Sequence, residues 1–334
     1  MPDKGIQKYV MNILITGITG MVGSHLAEYV LAEHPGIVVH GLVRWRSPKD
    51  NILGILDKVT LHLGDLRDQS GLINLLNKVQ PTKIFHLAAQ SYVDQSFAAP
   101  VDTLDTNILG TANLLEAMRH TKSDAKIHIC SSSEVYGQVR PDEVPINENN
   151  VLRPASPYAV SKVGEDMLGL QYFLSYGIKT LRTRMFTHTG PRRGSVFAES
   201  TFAEQIAERE LGLKQGPVKH GNLGSVRTIT HVKDAVRAYW TLLEKCPPGE
   251  VYNIGGSETI TIGELLDILK AHATVPITQE VDPTRLRPSD VTLQIPDISK
   301  FQKQTNWKPT ISMEDTLLDL LNYHRKRLKA LYGK

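Results

Sequence analysis

The chain has 334 residues, 41% of them hydrophobic and 22% charged, with a formal net charge of +3. Such usage excludes disorder for the bulk of the chain, and a charge this near balance excludes a dedicated nucleic-acid binder. The two cysteines, Cys130 and Cys246, are too few for a disulfide scaffold and too far apart for a CxxC site, which suits a reducing cytoplasm.

No apolar run approaches the roughly 20 residues of a membrane span. Residues 1–10 are polar and lack the apolar middle of a signal peptide, so they read as an extension ahead of the first strand. Neither a membrane nor a nucleic acid is an expected partner. Residues 12–16 form a short apolar run, the pattern of a fully buried parallel strand. A helix is predicted over 24–34 and a second strand over 37–43. Further strands follow over 59–63, 83–88, 126–130 and 178–184, with helices over 70–79, 103–120 and 158–175 between them. This alternation predicts an α/β chain with a Rossmann-type, doubly wound parallel sheet. After about residue 190 the rhythm weakens. Helices are predicted over 197–213, 231–244, 262–272 and 312–331, with short strands near 250–254 and 276–279. The division predicted is a first domain over 11–190, to which some later segments return, and a smaller mixed α/β lobe over 191–334.

The first strand runs into Gly17-Ile18-Thr19-Gly20-Met21-Val22-Gly23 and then a helix. Gly17 permits the tight turn, Gly20 lets the backbone approach a phosphate, and Gly23 lets helix and strand pack closely. The helix N-terminus then offers N–H groups to a pyrophosphate. The second strand ends in Val43-Arg44-Trp45-Arg46-Ser47, with no acid to hold a ribose 2′-hydroxyl. Arg44 and Arg46 can instead pair with a 2′-phosphate, which makes NADP the expected cofactor of the first domain. Asp65 and Leu66 follow the third strand, at the adenine edge. Leu87, Ala88, Ala89, Gln90 and Ser91 follow the fourth, beside the middle of the cofactor.

Ser131-Ser132-Ser133-Glu134 follows the next strand, and Tyr158-Ala159-Val160-Ser161-Lys162 lies on a helix. Tyr and Lys at this spacing share one helix face. The lysine charge favours phenolate, making Tyr158 a candidate general base, and Ser132 can hold the same substrate oxygen. No HExxH motif or Cys/His cluster is present, so no metal is expected. The absence of a GxSxG elbow disfavours an α/β-hydrolase.

These motifs resemble the extended short-chain dehydrogenase/reductases that act on nucleotide sugars, from Asn12 to about Leu321. Within that family, Ser132-Ser133-Glu134 is similar to the GDP-mannose 4,6-dehydratases, with Ser replacing Thr. Ala89-Gln90-Ser91, His188 with Pro191-Arg192-Arg193-Gly194, Gly221-Asn222-Leu223 with Arg227, and Arg287-Pro288 with Asp290 agree. The resemblance implies that Ser132, Tyr158 and Lys162 move a hydroxyl proton while NADP exchanges hydride at carbon 4, and that Glu134 takes the carbon 5 proton. It implies contacts from His188 and Arg193 to NADP, and from Gln90, Ser91, Ser133 and Thr187 to substrate. A GDP-linked sugar is the expected substrate. Arg227 and Arg287 are the best cations for its diphosphate, with Arg285 and Lys219 behind them. Asp290 orients Arg287 or binds a ribose. The family pairs the helices near 103–120 and 158–175 between subunits, and Arg193 there reaches a neighbouring subunit's cofactor, so a homodimer or homotetramer is implied.

Departures leave the sister GDP-4-keto-6-deoxymannose reductases open. Thr187 precedes His188 where many relatives have Asn, Thr228-Ile229 follows Arg227, Asp102 replaces a cofactor-contacting tyrosine, and Asn107 is closer to the reductases. A 4,6-dehydratase for another sugar, such as a GDP-heptose, is a further alternative. A 4-epimerase is disfavoured by Glu134, and a non-catalytic NADP-binding regulator by the intact Ser132, Tyr158 and Lys162.

Overall fold

The computed structural model describes residues 11–286 and 291–333. β1 (Asn12–Thr16) is apolar on both faces, with Ile13, Leu14 and Ile15 fully buried, as a strand covered by helices on each side requires. α1 (Met21–Glu33), β2 (Val38–Val43), β3 (Val59–Leu63), α2 (Gln69–Val79) and β4 (Lys83–His86) follow. Next come α3 (Val93–Ala98), α4 (Pro100–Leu104), a π turn at Asp105–Leu109, α5 (Gly110–His120), β5 (Lys126–Ser132), α6 (Pro157–Tyr176) and β6 (Thr180–Met185). The remaining chain holds β7 (His188–Thr189), α7 (Ala198–Glu210), β8 (Val218–His220), β9 (Val226–Thr228), β10 (Thr230–His231), α8 (Val232–Lys245) and β11 (Val251–Ile254). It ends with β12 (Thr259–Thr261), α9 (Ile262–Ala271), β13 (Gln279–Val281), α10 (Ser299–Thr305) and α11 (Met313–Tyr332).

The central sheet has the order β3-β2-β1-β4-β5-β6-β11, and every pairing in it is parallel. The chain leaves β1 toward β2 and later returns to β4 on the other side. The crevice at that reversal, beyond the carboxyl ends of the strands, is where ligands bind in such sheets. One face of the sheet packs Ile15 and Phe85 against Val30 of α1 and Trp240 of α8. The other packs Leu14, Ile84 and Ile127 against Leu75 of α2, Leu114 of α5 and Tyr172 of α6. A separate core joins Ile206 of α7, Leu265 of α9 and Leu317 of α11.

Four elements differ from their sequence reading for physical reasons. α1 begins at Met21, because Gly20 takes the N-cap position and Gly23 sits inside the helix. β4 stops at His86, because the Leu87 and Ala88 N–H groups donate to Thr16 Oγ1 instead of a neighbouring strand. The helix expected over 103–120 runs without a break from Pro100 to His120 but widens at the π turn, where Thr111 Oγ1 donates to the Asn107 carbonyl. The strand expected near 276–279 forms over Gln279–Val281, past Pro276, which has no N–H for a ladder. Val251–Ile254 forms and pairs with β6 of the main sheet.

Candidate active site

The glycine turn is shaped by close approach. Gly17 has φ +73°, and a Cβ there would lie 2.9 Å from the Ala88 nitrogen. A Cβ on Gly23 would lie 2.2 Å from the Gly17 carbonyl oxygen, so any side chain would push α1 off the strand. The N-terminus of α1 carries no side-chain cap. Its first N–H groups, on Met21, Val22 and Gly23, therefore face the cleft without an internal acceptor from the cap residue. Asn51 holds the turn from outside, donating from Nδ2 to the Thr19 carbonyl at 2.9 Å.

This turn opens into one cavity of about 1230 Å³ that runs across the carboxyl ends of the sheet to the chain between β8 and β9. It brings together Gly17, Thr19, Gly20, Met21, Val22, Gly23, Arg44, Asp65, Leu66, Leu87, Ala88, Ala89, Gln90 and Ser91. From later parts of the chain come Ser132, Ser133, Glu134, Tyr158, Lys162, Thr187, His188, Arg193, Arg227 and Arg285. The cavity does not include Arg46, whose guanidinium stacks on Trp45 at 4.3 Å, or Lys219, which pairs with Glu280 at 2.8 Å. The two arginines expected at a 2′-phosphate are thus separated, and Ser47 lines the cavity with Arg44. Arg287 and Asp290 lie outside the described residues.

β5 and α6 set the reactive groups. Ser132 ends β5, and its Oγ accepts from the Glu134 N–H at 3.2 Å, folding Ser133–Tyr136 into a short turn. Ser156 caps α6 by accepting from Ala159 N–H, which starts the helix just before Tyr158. The Ser132 hydroxyl lies on the Tyr158 side of the cavity and favours the ionised phenol. Lys162 Nζ sits 5.9 Å from the Tyr158 ring centre and donates to the Cys130 carbonyl and Glu165 Oε2, both at 3.0 Å. Lys162 and Ser132 pull the phenol toward ionisation, as the sequence reading expects. Burial outweighs them, and the net shift of Tyr158 is upward.

Behind these groups runs a buried polar chain. The Thr16 hydroxyl, which accepts two backbone N–H groups, donates to His86 Nδ1 at 2.9 Å. His86 Nε2 donates to Thr111 Oγ1 at 2.9 Å, since the Thr111 hydroxyl is committed to the Asn107 carbonyl at 2.6 Å. Burial and the Lys162 charge push His86 down to about 3, so it stays neutral. Asn107 then clamps two segments. Its Oδ1 accepts from Gln90 N–H at 2.8 Å, while Nδ2 donates to the Gln90 carbonyl at 2.9 Å and to Ser161 Oγ at 2.8 Å.

Several expected substrate and cofactor contacts are engaged within the protein. Gln90 donates from Nε2 to the Tyr92 carbonyl and Thr103 Oγ1 and accepts from the Tyr92 N–H. Ser133 Oγ donates to Gln294 Oε1 at 2.7 Å. Arg193 pairs with Glu199 at 3.0 Å and lies over the Phe197 ring. Arg227 donates to the Val226 and Val291 carbonyls. His188 Nδ1 lies 3.2 Å from the Phe186 carbonyl, and burial pushes the ring down to about 4. Asp65 pairs with Arg67, which holds its carboxyl below the usual range.

Sequence reading missed Asn51, Asn107, Glu165 and Gln294 as site residues. Glu165 carried a local signal, since it lies one helical turn from Lys162. Gln294 carried none, because its segment has no helix or strand period. Among the described residues no cluster of His, Cys, Asp or Glu is arranged to hold a metal ion, and no helix is long and apolar enough to cross a membrane.

A family model described as GDP-mannose 4,6 dehydratase matches residues 14–320. A GDP-mannose 4,6-dehydratase of Yersinia enterocolitica is 34% identical, over 92% of each chain. A GDP-6-deoxy-D-mannose reductase of Pseudomonas aeruginosa is 32% identical, over 95% of this chain and 98% of that one. The solved structure of RMD from Pseudomonas aeruginosa complexed with NADPH superposes with a TM-score of 0.83 at 30% identity, covering 95% of this chain and 99% of that one. With this fold, this cleft and these likenesses, the chain belongs to the GDP-mannose 4,6 dehydratase family.

Proposed function

We propose that the protein is an NADP-dependent nucleotide-sugar 4,6-dehydratase that converts GDP-mannose to GDP-4-keto-6-deoxymannose and water. The observation that carries this reading is Glu134, placed by the turn after Ser132 on the same cavity wall as Tyr158 and Lys162. A carboxylate there adds a second base to a Ser-Tyr-Lys set that alone serves only alcohol oxidation and reduction.

The cradle fits a dinucleotide: Gly17 and Gly23 leave no room for a side chain, and the start of α1 is uncapped. Thr19, Gly20, Met21, Val22 and Gly23 would hold the pyrophosphate, and Arg44 with Ser47 the 2′-phosphate. Asp65 and Leu66 border the adenine side, and Leu87, Ala88, Ala89 and Ser91 the middle. Tyr158, Lys162 and His188 border the nicotinamide end. Bound NADP would supply the temporary acceptor for the carbon 4 hydride and the donor of that hydride to carbon 6.

Tyr158, beside Ser132, accepts the proton of the carbon 4 hydroxyl in its ionised form, which the Lys162 charge favours against burial. The resulting 4-ketone acidifies carbon 5. Glu134 takes that proton and passes it to the hydroxyl that leaves carbon 6 as water, and carbon 5 regains a proton, balanced by the one Tyr158 took from the carbon 4 hydroxyl, as hydride returns to carbon 6. Arg227 and Arg285 line the lobe that would hold the diphosphate. Exposed Val101 and Leu109, near the π turn, and Leu174 on α6 support pairing of two copies through these helices.

Asp102, on the cavity wall in place of a tyrosine, favours a second reading: the sister reductase, which reduces the 4-keto group with NADPH. Incubation with GDP-mannose and catalytic NADP, followed by mass spectrometry, separates the two. Loss of one water without net cofactor turnover supports the dehydratase. Unchanged GDP-mannose, with NADPH consumed on the 4-keto-6-deoxy sugar nucleotide, supports the reductase.

A further inference from the structure

We infer that Gln294 is the positioning residue for Glu134, a role that rests on the dehydratase reading above. The Gln294 side chain is buried against the cavity wall and joins both residues of the base turn. Ser133 Oγ donates to its Oε1 at 2.7 Å, and its Nε2 donates to Glu134 Oε1 at 3.3 Å. This orientation of the amide is the one that chemistry demands. Turned over, its oxygen would face the carboxylate, and two acceptors would meet. The Ser133 hydroxyl therefore sets the amide, and the amide sets the carboxylate.

The backbone under Gln294 is held on two sides. Its N–H donates to the Val226 carbonyl at 3.1 Å, and the Val226 N–H donates to the Thr292 carbonyl at 2.7 Å. Ile146 N–H donates to the Ile295 carbonyl at 2.7 Å, and Asp297 N–H to the Ile146 carbonyl at 2.8 Å. The segment thus splices the loop after the base turn to β9, where Arg227 lies. Arg227 itself donates to the Val291 carbonyl of the same segment. One stretch of chain therefore fixes both the base and the cation proposed for the diphosphate. A base that abstracts a carbon-bound proton needs its oxygen held in line, and a misplacement near 1 Å costs about 100-fold in rate. An N–H donated to a carboxylate oxygen also favours the charged form that a base requires.

The test is Gln294→Leu, close in volume but without the amide, compared with the wild-type enzyme on GDP-mannose. The expected result is a fall in kcat of about 100-fold, with KM for GDP-mannose and the dissociation constant of NADP unchanged. Oxidation at carbon 4 continues while elimination is slowed, so reduced cofactor accumulates and its near-ultraviolet absorbance rises in the variant. Ser133→Ala, which frees the amide without touching Glu134, gives a smaller fall of the same kind and serves if the leucine variant fails to fold. An unchanged kcat in both variants overturns the inference. So does a loss carried by KM or by NADP binding, which would mark Gln294 as a wall of the cleft only. Failure of the wild type to dehydrate GDP-mannose overturns the underlying reading instead.

Discussion

Asp166→Ala should be among the most destabilising single changes in this chain. Asp166 is fully buried on α6, where Oδ1 accepts from Arg182 at 2.7 Å and Oδ2 from Arg184 at 2.7 Å. Both arginines lie on β6, and each is 4% exposed. Removing one partner of a buried ion pair costs about 3–5 kcal/mol, because the remaining charge stays desolvated. Here one carboxylate serves two cations, which moves the expectation to the top of that range. Arg182 keeps the Gly249 carbonyl at 2.9 Å, and Arg184 keeps the Glu148 carbonyl at 2.9 Å, so the cost should not double. The expected loss is about 4–5 kcal/mol, a large part of the 5–15 kcal/mol that holds a typical domain. Urea unfolding of the variant, followed by far-ultraviolet circular dichroism, measures it. Asp166→Asn, which keeps an acceptor but no charge, should fall between. Because α6 also carries Tyr158 and Lys162, cofactor affinity should drop with stability. A loss below about 1 kcal/mol would mean that water reaches both guanidinium groups, and the account of β6 would fail.

Three more outcomes follow from the site. Glu165→Gln removes the acid that pairs with Lys162 and adds to the burial that raises the Tyr158 phenol, so the acidic limb of kcat/KM should move to lower pH; an unmoved limb would separate Glu165 from the phenol's ionisation. Arg44→Ala should weaken NADP by roughly 1.5–3 kcal/mol, the value of a hydrogen bond to a charged group, while leaving NAD nearly unchanged in calorimetry; equal losses would count against 2′-phosphate recognition. Gly23→Ala places a methyl 2.2 Å from the Gly17 oxygen, so it should cost about 1–3 kcal/mol in thermal unfolding and abolish measurable NADP binding. A variant that binds NADP normally would show that the turn yields at no cost.

Where the cavity is lined by contiguous chain, the sequence named the residues that line it. The glycine turn carries its meaning within one strand and one helix start. Ser132 and Glu134 lie at one strand end and the turn that follows it, and Tyr158 and Lys162 on one helix. Their convergence follows from parallel topology alone, since the carboxyl ends of neighbouring strands must share an edge. β6 was legible for a subtler reason. Its pattern, Thr-Leu-Arg-Thr-Arg-Met, holds two charges that would normally argue for a solvated strand, yet all six residues are buried. The strand reading rested on its place in the βαβ rhythm, and the Asp166 carboxylate that makes burial tolerable lies on the preceding helix. The π turn was not legible, because it depends on Asn107 reaching both Gln90 and Ser161. Gln294 was out of reach for the same reason on a larger scale. It meets Glu134 across 160 residues of chain, from a segment whose backbone pairs outside regular strands with both halves of the molecule. A motif can name a base because the chemistry demands that residue type. What holds the base still is set by whichever side chain the packing brings alongside, and no spacing in the chain encodes that choice.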